Sequence, residues 1–510
     1  MTKSTDWEQL SPLEESFERW RRRLGLLGGP VAALGVYAAL AELPAEQRRL
    51  AAVLVLVIVF WITEALPIPA TALLGPALCV LLGVADAPRV FRPFADPILF
   101  VFLGSFLLAR AMAETGLDRR VALGVLSSRF IGTSPERIRL AVGATALLIS
   151  MWISNTATVA MLFPIVVSIS HALERLFAAG GPGLVRAGRS YVTSLMLVTA
   201  YAASVGGLAT PVGTPPNLIG LGMIDNLAGV HITFFQWMLL GLPISLVMFG
   251  VLMLLLRLLH PVPPRRLEGL EVTLAQMQKD ISSWGRAQTY TLVSFLTAVV
   301  LWVSPGVLAL VRGTDDPLYR LVSQRLDEGV AALLAASLLF LLPVSWKVPR
   351  GVLTWHQAVK IDWGTILLFG GGLSLGSLMY STGLAERLAH RLVGTGGESN
   401  VWAITTAATL FAILISETTS NTASASMVVP VAIAVAAAAR VSPLLPALGA
   451  TLGASLGFML PVSTPPNAIV YGSGRVPLLA MIRAGFIFDL LGFAVLLLLL
   501  RWLGPLLGFV

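Results

Sequence analysis

Residues 154–158 read SNTAT and lie in an apolar run that carries no charged side chain between Arg139 and Glu174. A second polar cluster, SNTAS at 420–424, lies in another apolar stretch, between Glu398 and Arg440. Polar groups are costly at membrane depth unless they pair with other polar groups or bind a ligand. The two clusters therefore mark positions where polarity has a purpose, and the interpretation of the chain starts from them.

The composition places this chain in a membrane. Of its 510 residues, 56% are hydrophobic and 12% are charged, and the mean hydropathy is +0.83. Apolar runs near the ~20 residues that span a bilayer recur along the chain, without the alternation typical of barrel strands. The predicted fold class is an all-α integral membrane protein. The net charge of +8 falls mainly in loops on one side of the bilayer, so no nucleic-acid partner is expected.

Eleven transmembrane helices are predicted, at 24–41, 50–66, 70–85, 96–113, 190–210, 232–256, 289–311, 329–345, 363–381, 444–462 and 480–502. The clusters lie in two further segments, 138–173 and 400–439. The first holds 34 uncharged residues. As one helix it would reach ~50 Å, against ~30 Å of hydrocarbon, and two full crossings need more residues. We therefore predict two re-entrant helical hairpins with the SNT clusters at their tips.

Several motifs occur twice in the same order. PVGTPPN at 211–217 matches PVSTPPN at 461–467, and ETGLDRRVA at 114–122 resembles STGLAERLA at 381–389. Each half holds five spans and one hairpin, so the second half starts from the opposite side, which predicts an inverted-topology repeat. The predicted organisation is an amphipathic N-terminal segment 1–23, a first span 24–49, repeats 50–257 and 289–510, and a cytoplasmic linker 258–288.

The distribution of Lys and Arg predicts the orientation. Most of them fall in segments on one side of this topology, which favours a cytoplasmic N-terminus and an external C-terminus in the cell membrane. Cys79 is the only cysteine, and the five histidines are scattered, so neither thiol chemistry nor a histidine metal site is predicted. No organic cofactor is expected, and no paired acid and base or nucleophile accompanies the SNT clusters, so the chain is not predicted to be an enzyme.

The doubled TPPN motifs indicate broken helices. Two consecutive prolines interrupt a helix, which leaves carbonyl groups free on one side of the break and N–H groups free on the other. Carbonyls and hydroxyls suit Na⁺, and N–H groups at a helix N-terminus suit an anion. Two tips and two breaks would thus form two cation sites beside one anion site. The structural alternative is that the SNT residues join helices and the prolines only kink them.

Taken together, the paired SNT and TPPN motifs, with TEALPIPATALL at 63–74 and TPPNAIVYGSG at 464–474, resemble the divalent anion–sodium symporter family over residues 20–505. That resemblance implies a homodimer in which each protomer has a scaffold domain and a transport domain. It also implies an elevator movement that carries the site across the bilayer. The implied activity is Na⁺-coupled uptake of a small dianion, with a C4-dicarboxylate such as succinate, fumarate or malate favoured.

The resemblance also assigns residues. It implies a first Na⁺ site at Ser150, Ser154, Asn155 and Gly213, and a second at Ser416, Thr419, Asn421 and the backbone around Ser463. Substrate carboxylates are expected at Ser154, Asn155, Thr156, Ser420, Asn421 and Thr422, with Thr214, Pro215, Thr464 and Pro465 completing the pocket. Independently of the family, Ser150 lies four residues before Ser154, as Ser416 does before Ser420, so each pair shares one helical face.

Some questions stay open at this level. Glu417 is interpreted as a cation-site neighbour, a proton acceptor or a buttress bonded to backbone, and Asp489 as a charge near a span end. The Na⁺ stoichiometry is not determined by the sequence. The alternative functions are a Na⁺-independent dicarboxylate exchanger, a sodium–sulfate symporter and, as a different class, an anion channel.

Overall fold

The computed structural model of the chain describes residues 12–127, 134–178, 182–262, 283–347, 350–393 and 400–509. These residues form helices joined by short loops, and their only β-type pairing is an isolated bridge between Ser345 and Arg350. Eight of the described helices are long and apolar enough to cross a membrane. The all-α multi-pass fold class predicted from the sequence is confirmed.

The described residues of the first half, up to residue 259, form eleven α-helices. They are α1 (Pro12–Ala39), α2 (Ala45–Thr63), α3 (Ile68–Leu81), α4 (Ala87–Phe91), α5 (Pro97–Thr115), α6 (Leu117–Leu126), α7 (Pro135–Ser150), α8 (Asn155–Ala178), α9 (Pro182–Gly207), α10 (Pro215–Met223) and α11 (Phe234–Leu259). A 3₁₀ turn, Arg92–Ala95, follows α4, and a π-helical turn, Ile224–Ala228, follows α10.

The second half begins at residue 286 and also contains eleven α-helices among its described residues. They are α12 (Arg286–Arg312), α13 (Pro317–Arg325), α14 (Glu328–Leu341), α15 (Trp355–Ala358), α16 (Trp363–Ser381), α17 (Leu384–Val393), α18 (Val401–Thr418), α19 (Asn421–Ala438), α20 (Leu444–Gly453), α21 (Pro465–Gly472) and α22 (Leu478–Leu506). Most of the predicted linker, residues 263–282, and residues 1–11 of the predicted N-terminal segment lie outside the described residues.

The order of helix lengths repeats. A helix of 14 residues (α3, α14) is followed by one of 19 (α5, α16) and one of 10 (α6, α17). In each half a pair of helices with an SNT tip comes next, then a helix broken before TPPN, then a long final helix. This order supports the internal repeat, while the orientation of each half in a bilayer stays a prediction.

Several predicted boundaries were too long. Helix α3 ends at Leu81, just before Gly83, whose φ of 67° is left-handed. Helix α14 ends at Leu341 because Pro343 follows. The predicted span 444–462 is wrong as one helix, since α20 ends at Gly453 and residues 454–464 form a break. The predicted span 190–210 similarly ends at Gly207.

The two halves interlock around the tips. Helix α10 packs against α19 and α20 of the second half, and α21 packs against α8 and α9 of the first. Outside this pair, α5 packs against α14, and α3 against α16. Each TPPN half-helix therefore lies beside the SNT helix of the opposite half, which brings sequence positions roughly 200 to 300 residues apart into one region.

A fully buried arginine ties the first hairpin to its neighbours. The Arg139 Nη1 atom donates to the carbonyls of His260 at 3.0 Å and Leu256 at 3.3 Å, which end helix α11. Its Nη2 atom donates to Glu136 at 2.5 Å. The guanidinium thus supplies a donor to the His260 carbonyl just past the end of α11, adds a charged donor to the Leu256 carbonyl, which also accepts the His260 N–H, and holds α7 against α11.

We expect Arg139→Met to lower the free energy of unfolding by about 3 kcal/mol, because buried carbonyls lose a charged donor and no water replaces it. The midpoint of thermal unfolding of the purified protein would report this loss. Arg257→Met is the matched control, since Arg257 is 71% exposed and its Nε lies 3.7 Å from the same Glu136. Equal losses in the two variants would contradict the structural role of Arg139.

Candidate functional site

The first polar tip is a short non-helical segment, 151–154, between α7 and α8. The Ser150 hydroxyl donates to Oδ1 of Asn155 at 2.7 Å. This hydrogen bond joins the C-terminal end of α7 to the N-terminal end of α8. The Ser154 hydroxyl oxygen accepts the Ala157 N–H at 3.2 Å and caps α8. The predicted turn at Ser154, Asn155 and Thr156 is thus shifted, since Asn155 and Thr156 already belong to the first turn of α8.

The second tip, Thr419 and Ser420, repeats this geometry. The Ser416 hydroxyl donates to Oδ1 of Asn421 at 2.8 Å, and the Ser420 hydroxyl oxygen accepts the Ala423 N–H at 3.2 Å. Each SNT serine is therefore a helix N-cap whose hydroxyl proton stays available to a ligand. The asparagine in each cluster is the residue that joins the two arms.

Each tip lies directly against the helix break of its own half. In the first half, the Thr210 hydroxyl donates to the Met151 carbonyl, and a β-carbon on Gly213 would lie 3.0 Å from that same oxygen. A β-carbon on Gly207 would lie 2.5 Å from Oδ1 of Asn155. The glycines are needed here because the backbone of the break approaches the tip too closely for a side chain.

In the second half different hydrogen bonds hold the tip against the break. The single proton of the Ser416 hydroxyl is shared between Oδ1 of Asn421 and the Ala454 carbonyl, which lies 2.7 Å away, and Nδ2 of Asn421 donates to the Ser455 carbonyl at 3.5 Å. A β-carbon on Gly457 would lie 3.2 Å from the Ser416 hydroxyl and 3.3 Å from Oδ1 of Asn421. Both halves thus gather uncharged hydroxyl, amide and carbonyl oxygens, which are ligands suited to a hard monovalent cation.

The structure places most of the predicted cation residues together. Ser150, Asn155 and Gly213 surround the first tip, and Ser416 and Asn421 surround the second. Thr419 is buried, and its hydroxyl donates its proton to the Ile415 carbonyl at 2.9 Å, which leaves the lone pairs of its oxygen and its backbone carbonyl to serve a cation.

Glu417 explains the position of Ser463. Its Oε1 atom accepts the N–H groups of Phe458 at 2.7 Å and Met459 at 3.0 Å. Its Oε2 atom accepts the Ser463 hydroxyl at 2.8 Å. This is the backbone buttress that was one of the three interpretations, and it holds the second break against α18.

Asp489 lies in the interior instead of at a span end, so that expectation was wrong. It is 6% exposed in α22, and its two carboxylate oxygens make no hydrogen bond to the described residues. The reason is the register of α22, which turns this position toward the second break and away from the surface.

The predicted substrate residues flank four helix N-termini. Helices α8 and α19 begin at Asn155 and Asn421, and α10 and α21 begin at Pro215 and Pro465. Prolines fit in a first helical turn because no intrahelical acceptor is available there. The Thr464 hydroxyl oxygen caps α21 by accepting the Asn467 N–H at 3.3 Å, whereas the Thr214 side chain makes no capping bond to α10. The free N–H groups of α8 and α19 and their dipoles favour a bound anion.

The two halves of this site differ in exposure. Thr156, Pro465 and Val462 are exposed, Val462 to 57%. At the first TPPN motif and the second SNT cluster, Thr214 is buried, and Pro215 and Thr422 are half-buried. The serine and asparagine of both clusters are half-buried, so the difference lies in Thr156, Val462 and Pro465, which are exposed, against the equivalent Thr422, Val212 and Pro215, which are covered to a greater extent.

Two further residues, which the sequence-based site did not include, hold the breaks. The side chains of Asn217 and Asn467, the last residues of the TPPN motifs, each donate to two carbonyls of their own break. Thr210 and Tyr201 are also new, the latter donating to the Phe458 carbonyl at 2.7 Å. The Asn that ends both TPPN motifs could have indicated this role from the sequence, but the motifs were interpreted only as helix breaks.

An acidic cavity of about 310 Å³ reaches Pro211 in the first break. It lies between the N-terminal ends of α5 and α14 and the turn after α10, and its ionisable lining residues are Asp96, Asp225, His231, Asp327 and Glu328. Burial is the main cause that raises the pKa of Asp96. The hydrogen bond to Asp225, at 3.3 Å, is the largest of the causes that raise the pKa of His231, with Glu328 and Asp327 adding to it.

We expect the His231 contacts to stabilise the protein at low pH only. A raised pKa means that this contribution is fully present below the ordinary value of about 6.5 and is lost as the pH rises through the higher folded-state pKa. Because the side chain is 55% exposed, the effect on stability is expected to stay below about 1 kcal/mol. The difference in thermal midpoint between wild type and His231→Gln, measured from pH 6 to 9, should shrink as the pH rises. A pH-independent difference would contradict this expectation.

Two uncharged polar tips, each closed on a broken helix inside an apolar helical bundle, define a membrane transport protein of the helical-hairpin type. Residues 31–510 match the family described as the sodium:sulfate symporter transmembrane region, and the chain belongs to that family. The resemblance to the divalent anion–sodium symporters is thereby confirmed.

Curated relatives support this assignment. The chain is 32% identical over 450 residues to a protein of Staphylococcus saprophyticus named sodium-dependent dicarboxylate transporter SdcS. The matched region covers 88% of this chain and 84% of the relative. It is 32% identical over 468 residues to the protein of the same name from Staphylococcus aureus, with 91% and 87% covered. The fold is similar to the YdaH transporter of Alcanivorax borkumensis, with a TM-score of 0.51, 15% identity and coverage of 90% and 98%.

Proposed function

We propose that this protein couples inward Na⁺ movement to the uptake of a small dianion, with a C4-dicarboxylate such as succinate, fumarate or malate as its substrate. The proposal rests above all on the two equivalent tips, in which a Ser–Asn pair closes on a glycine-containing helix break. The names of the SdcS relatives support both the dicarboxylate and the dependence on sodium.

The charge of the site supports coupling between the two ions. No Lys or Arg occurs at 140–173 or 399–439, so the segments that form both tips carry no cationic side chain. A dianion placed there would be neutralised only by helix N-termini, each worth roughly half a charge, and by bound Na⁺. Na⁺ and dianion would therefore bind together, and a carrier with this site moves them together.

We also propose the finer features that the family resemblance implied. These are a first Na⁺ site around Ser150, Ser154, Asn155 and Gly213, a second around Ser416, Thr419, Asn421 and Ser463, and a homodimer formed through scaffold domains. The movement of the site would be of the elevator type, with the N-terminus cytoplasmic and the C-terminus outside. The packing of α10 against α19 and of α21 against α8, with one helix from each half in each pair, supports a transport domain that moves as a body.

Uptake of radiolabelled succinate into proteoliposomes, with and without an inward Na⁺ gradient, tests this function. Sodium-driven accumulation that malate competes with is the expected result. Stronger competition by sulfate than by malate would assign the carrier to sulfate, as the family description allows. Uptake that is independent of Na⁺ but requires internal dicarboxylate would indicate an exchanger, and conductance far above carrier turnover would indicate a channel.

The two break glycines should respond differently to the same change. Gly207→Ala is expected to reduce uptake at least tenfold, because its β-carbon would lie 2.5 Å from Oδ1 of Asn155 and must displace the tip. Gly457→Ala should keep much of the activity, since its β-carbon would meet atoms at 3.2 Å or more. The Na⁺ dependence of initial uptake rates in both variants checks this, and an equal loss in the two would contradict it.

A further inference from the structure

The last residues of the two TPPN motifs occupy equivalent positions in the breaks. Nδ2 of Asn217 donates to the carbonyls of Gly207 and Thr210, both at 2.8 Å. Nδ2 of Asn467 donates to the carbonyls of Gly457 and Leu460, both at 3.0 Å. Both side chains are 0% exposed. The Asn217 amide therefore joins the last residue of α9 to the middle of the first break, whereas the Asn467 amide joins two points within the second break, in each case ten and seven residues earlier in sequence.

Both asparagines carry a buried oxygen without a partner. Oδ1 of Asn217 and Oδ1 of Asn467 make no hydrogen bond. The orientation of each amide is fixed, because turning it over would place Oδ1 against two carbonyl oxygens. A buried acceptor left unpaired costs about 1–3 kcal/mol. Because both halves keep such an acceptor at the same place, the two hydrogen bonds that each Nδ2 donates must serve a purpose that offsets this cost.

The carbonyls that these amides hold belong to the walls of the proposed cation sites. Gly207, whose carbonyl Asn217 holds, lies against Oδ1 of Asn155 and the carbonyl of Gly213. Gly457, whose carbonyl Asn467 holds, lies against the Ser416 hydroxyl and Oδ1 of Asn421. Without the amide, two carbonyl dipoles in each break would be free to turn, and the backbone could move away from the tip.

We propose that Asn217 and Asn467 are positioning residues that set the Na⁺ affinity of the carrier, one for each cation site, by fixing the backbone of the two breaks. This inference rests on the proposed function, and it extends the cation sites to residues outside the SNT tips. The side chains act through main-chain geometry and need no contact with the substrate. Their loss should therefore change the Na⁺ dependence of transport far more than the substrate dependence measured at saturating Na⁺.

The isosteric variants Asn217→Asp and Asn467→Asp test the proposal, because they keep the volume of the side chain and remove its paired donors. We expect each to raise the Na⁺ concentration for half-maximal uptake about tenfold, or about 1.4 kcal/mol, with the succinate KM at saturating Na⁺ nearly unchanged. The Hill coefficient for Na⁺ should fall, since only one of two sites is weakened. Asn217→Ser and Asn467→Ser keep one donor, so they should show the same change to a smaller extent, and they replace the Asp variants if those do not fold.

The controls are Thr199→Val in α9 and Thr451→Val in α20, whose buried hydroxyls donate only within their own helices. Both should retain the wild-type Na⁺ dependence. A readout that needs no transport is the rise in thermal midpoint of the purified protein in NaCl relative to choline chloride, which should require more Na⁺ in the asparagine variants. Wild-type Na⁺ dependence in the Asp and Ser variants would overturn the role of the two asparagines. Absence of any sodium-specific stabilisation in the wild-type protein would instead overturn the proposed coupling itself.

Discussion

Asn155→Ala and Asn421→Ala are each expected to reduce succinate uptake at least 100-fold. Oδ1 of each asparagine accepts the hydroxyl of the serine that ends the first arm, Ser150 at 2.7 Å or Ser416 at 2.8 Å, and faces a glycine of the break. Removing the amide takes away the acceptor of the Ser150 hydroxyl, whereas Ser416 keeps the Ala454 carbonyl as an acceptor. In both tips the change also opens the turn and deletes a ligand for cation and anion, and these losses together exceed the ~2.7 kcal/mol that a hundredfold loss represents. Initial rates in proteoliposomes measure the effect.

Ser170→Ala is the control for this experiment, because its buried hydroxyl donates to the Val166 carbonyl within the same helix α8. It should transport like the wild type. Asn155→Asp and Asn421→Asp sharpen the result, since they keep the oxygen that a cation needs and add a charge that repels a dianion. They should retain sodium-specific thermal stabilisation while losing transport. Full activity in both alanine variants would show that the SNT tips are not the site.

Removal of Na⁺ is expected to weaken succinate binding at least 100-fold. The tip segments carry no Lys or Arg, and the dipoles of α8 and α19 supply only partial positive charge against two negative charges. In surroundings of low dielectric constant, each missing cation removes an attraction of several kcal/mol. Calorimetric titration of the purified protein in NaCl and in choline chloride at equal ionic strength measures the change.

The comparison salt matters in this test because ionic strength alone screens charges. Potassium chloride provides a second control, because it distinguishes a cation site that selects Na⁺ by size from a requirement for any monovalent cation. Succinate binding of equal strength in all three salts would mean that the positive potential comes from elsewhere, and coupling through the tips would then be wrong.

Much of the fold follows from local patterns in the sequence. Long apolar runs predict the helices, and the 34 uncharged residues around the first cluster predict a pair of arms and not a single crossing. The repeated TPPN motifs predict the two breaks at their correct places, since consecutive prolines cannot continue a helix. Helix ends were less accurate, as at Leu81 and Gly453, because hydropathy does not change where a helix stops inside apolar sequence.

Part of the site also followed from the family resemblance, which grouped Ser150 with Asn155 and Ser416 with Asn421, and each pair is joined by a hydrogen bond across the turn. The expectation from spacing that Ser150 and Ser154, and Ser416 and Ser420, share one helical face was wrong, because the first arm of each hairpin ends before the SNT serine. The bonds of Asn217 and Asn467 to the breaks were not predicted, because they depend on how the chain folds back after Gly207 and Gly457. The role of Glu417 was open for a similar reason, since its partners are 41, 42 and 46 residues away.

The sequence by itself determined the class of this protein. A membrane requires long apolar helices, so apolar runs and the few polar residues within them can be recognised locally. The polar SNT clusters and the TPPN motifs also occur twice, which makes the pattern specific. Only the tertiary structure decided which atoms meet. Packing of α10 against α19 and of α21 against α8 places each TPPN half-helix beside the SNT helix of the other half. It also decided that Thr156 of the first SNT cluster is exposed while Thr422 of the second is half-buried. These are relations between distant segments, and they depend on the shapes of whole helices rather than on the order of residues within any one of them.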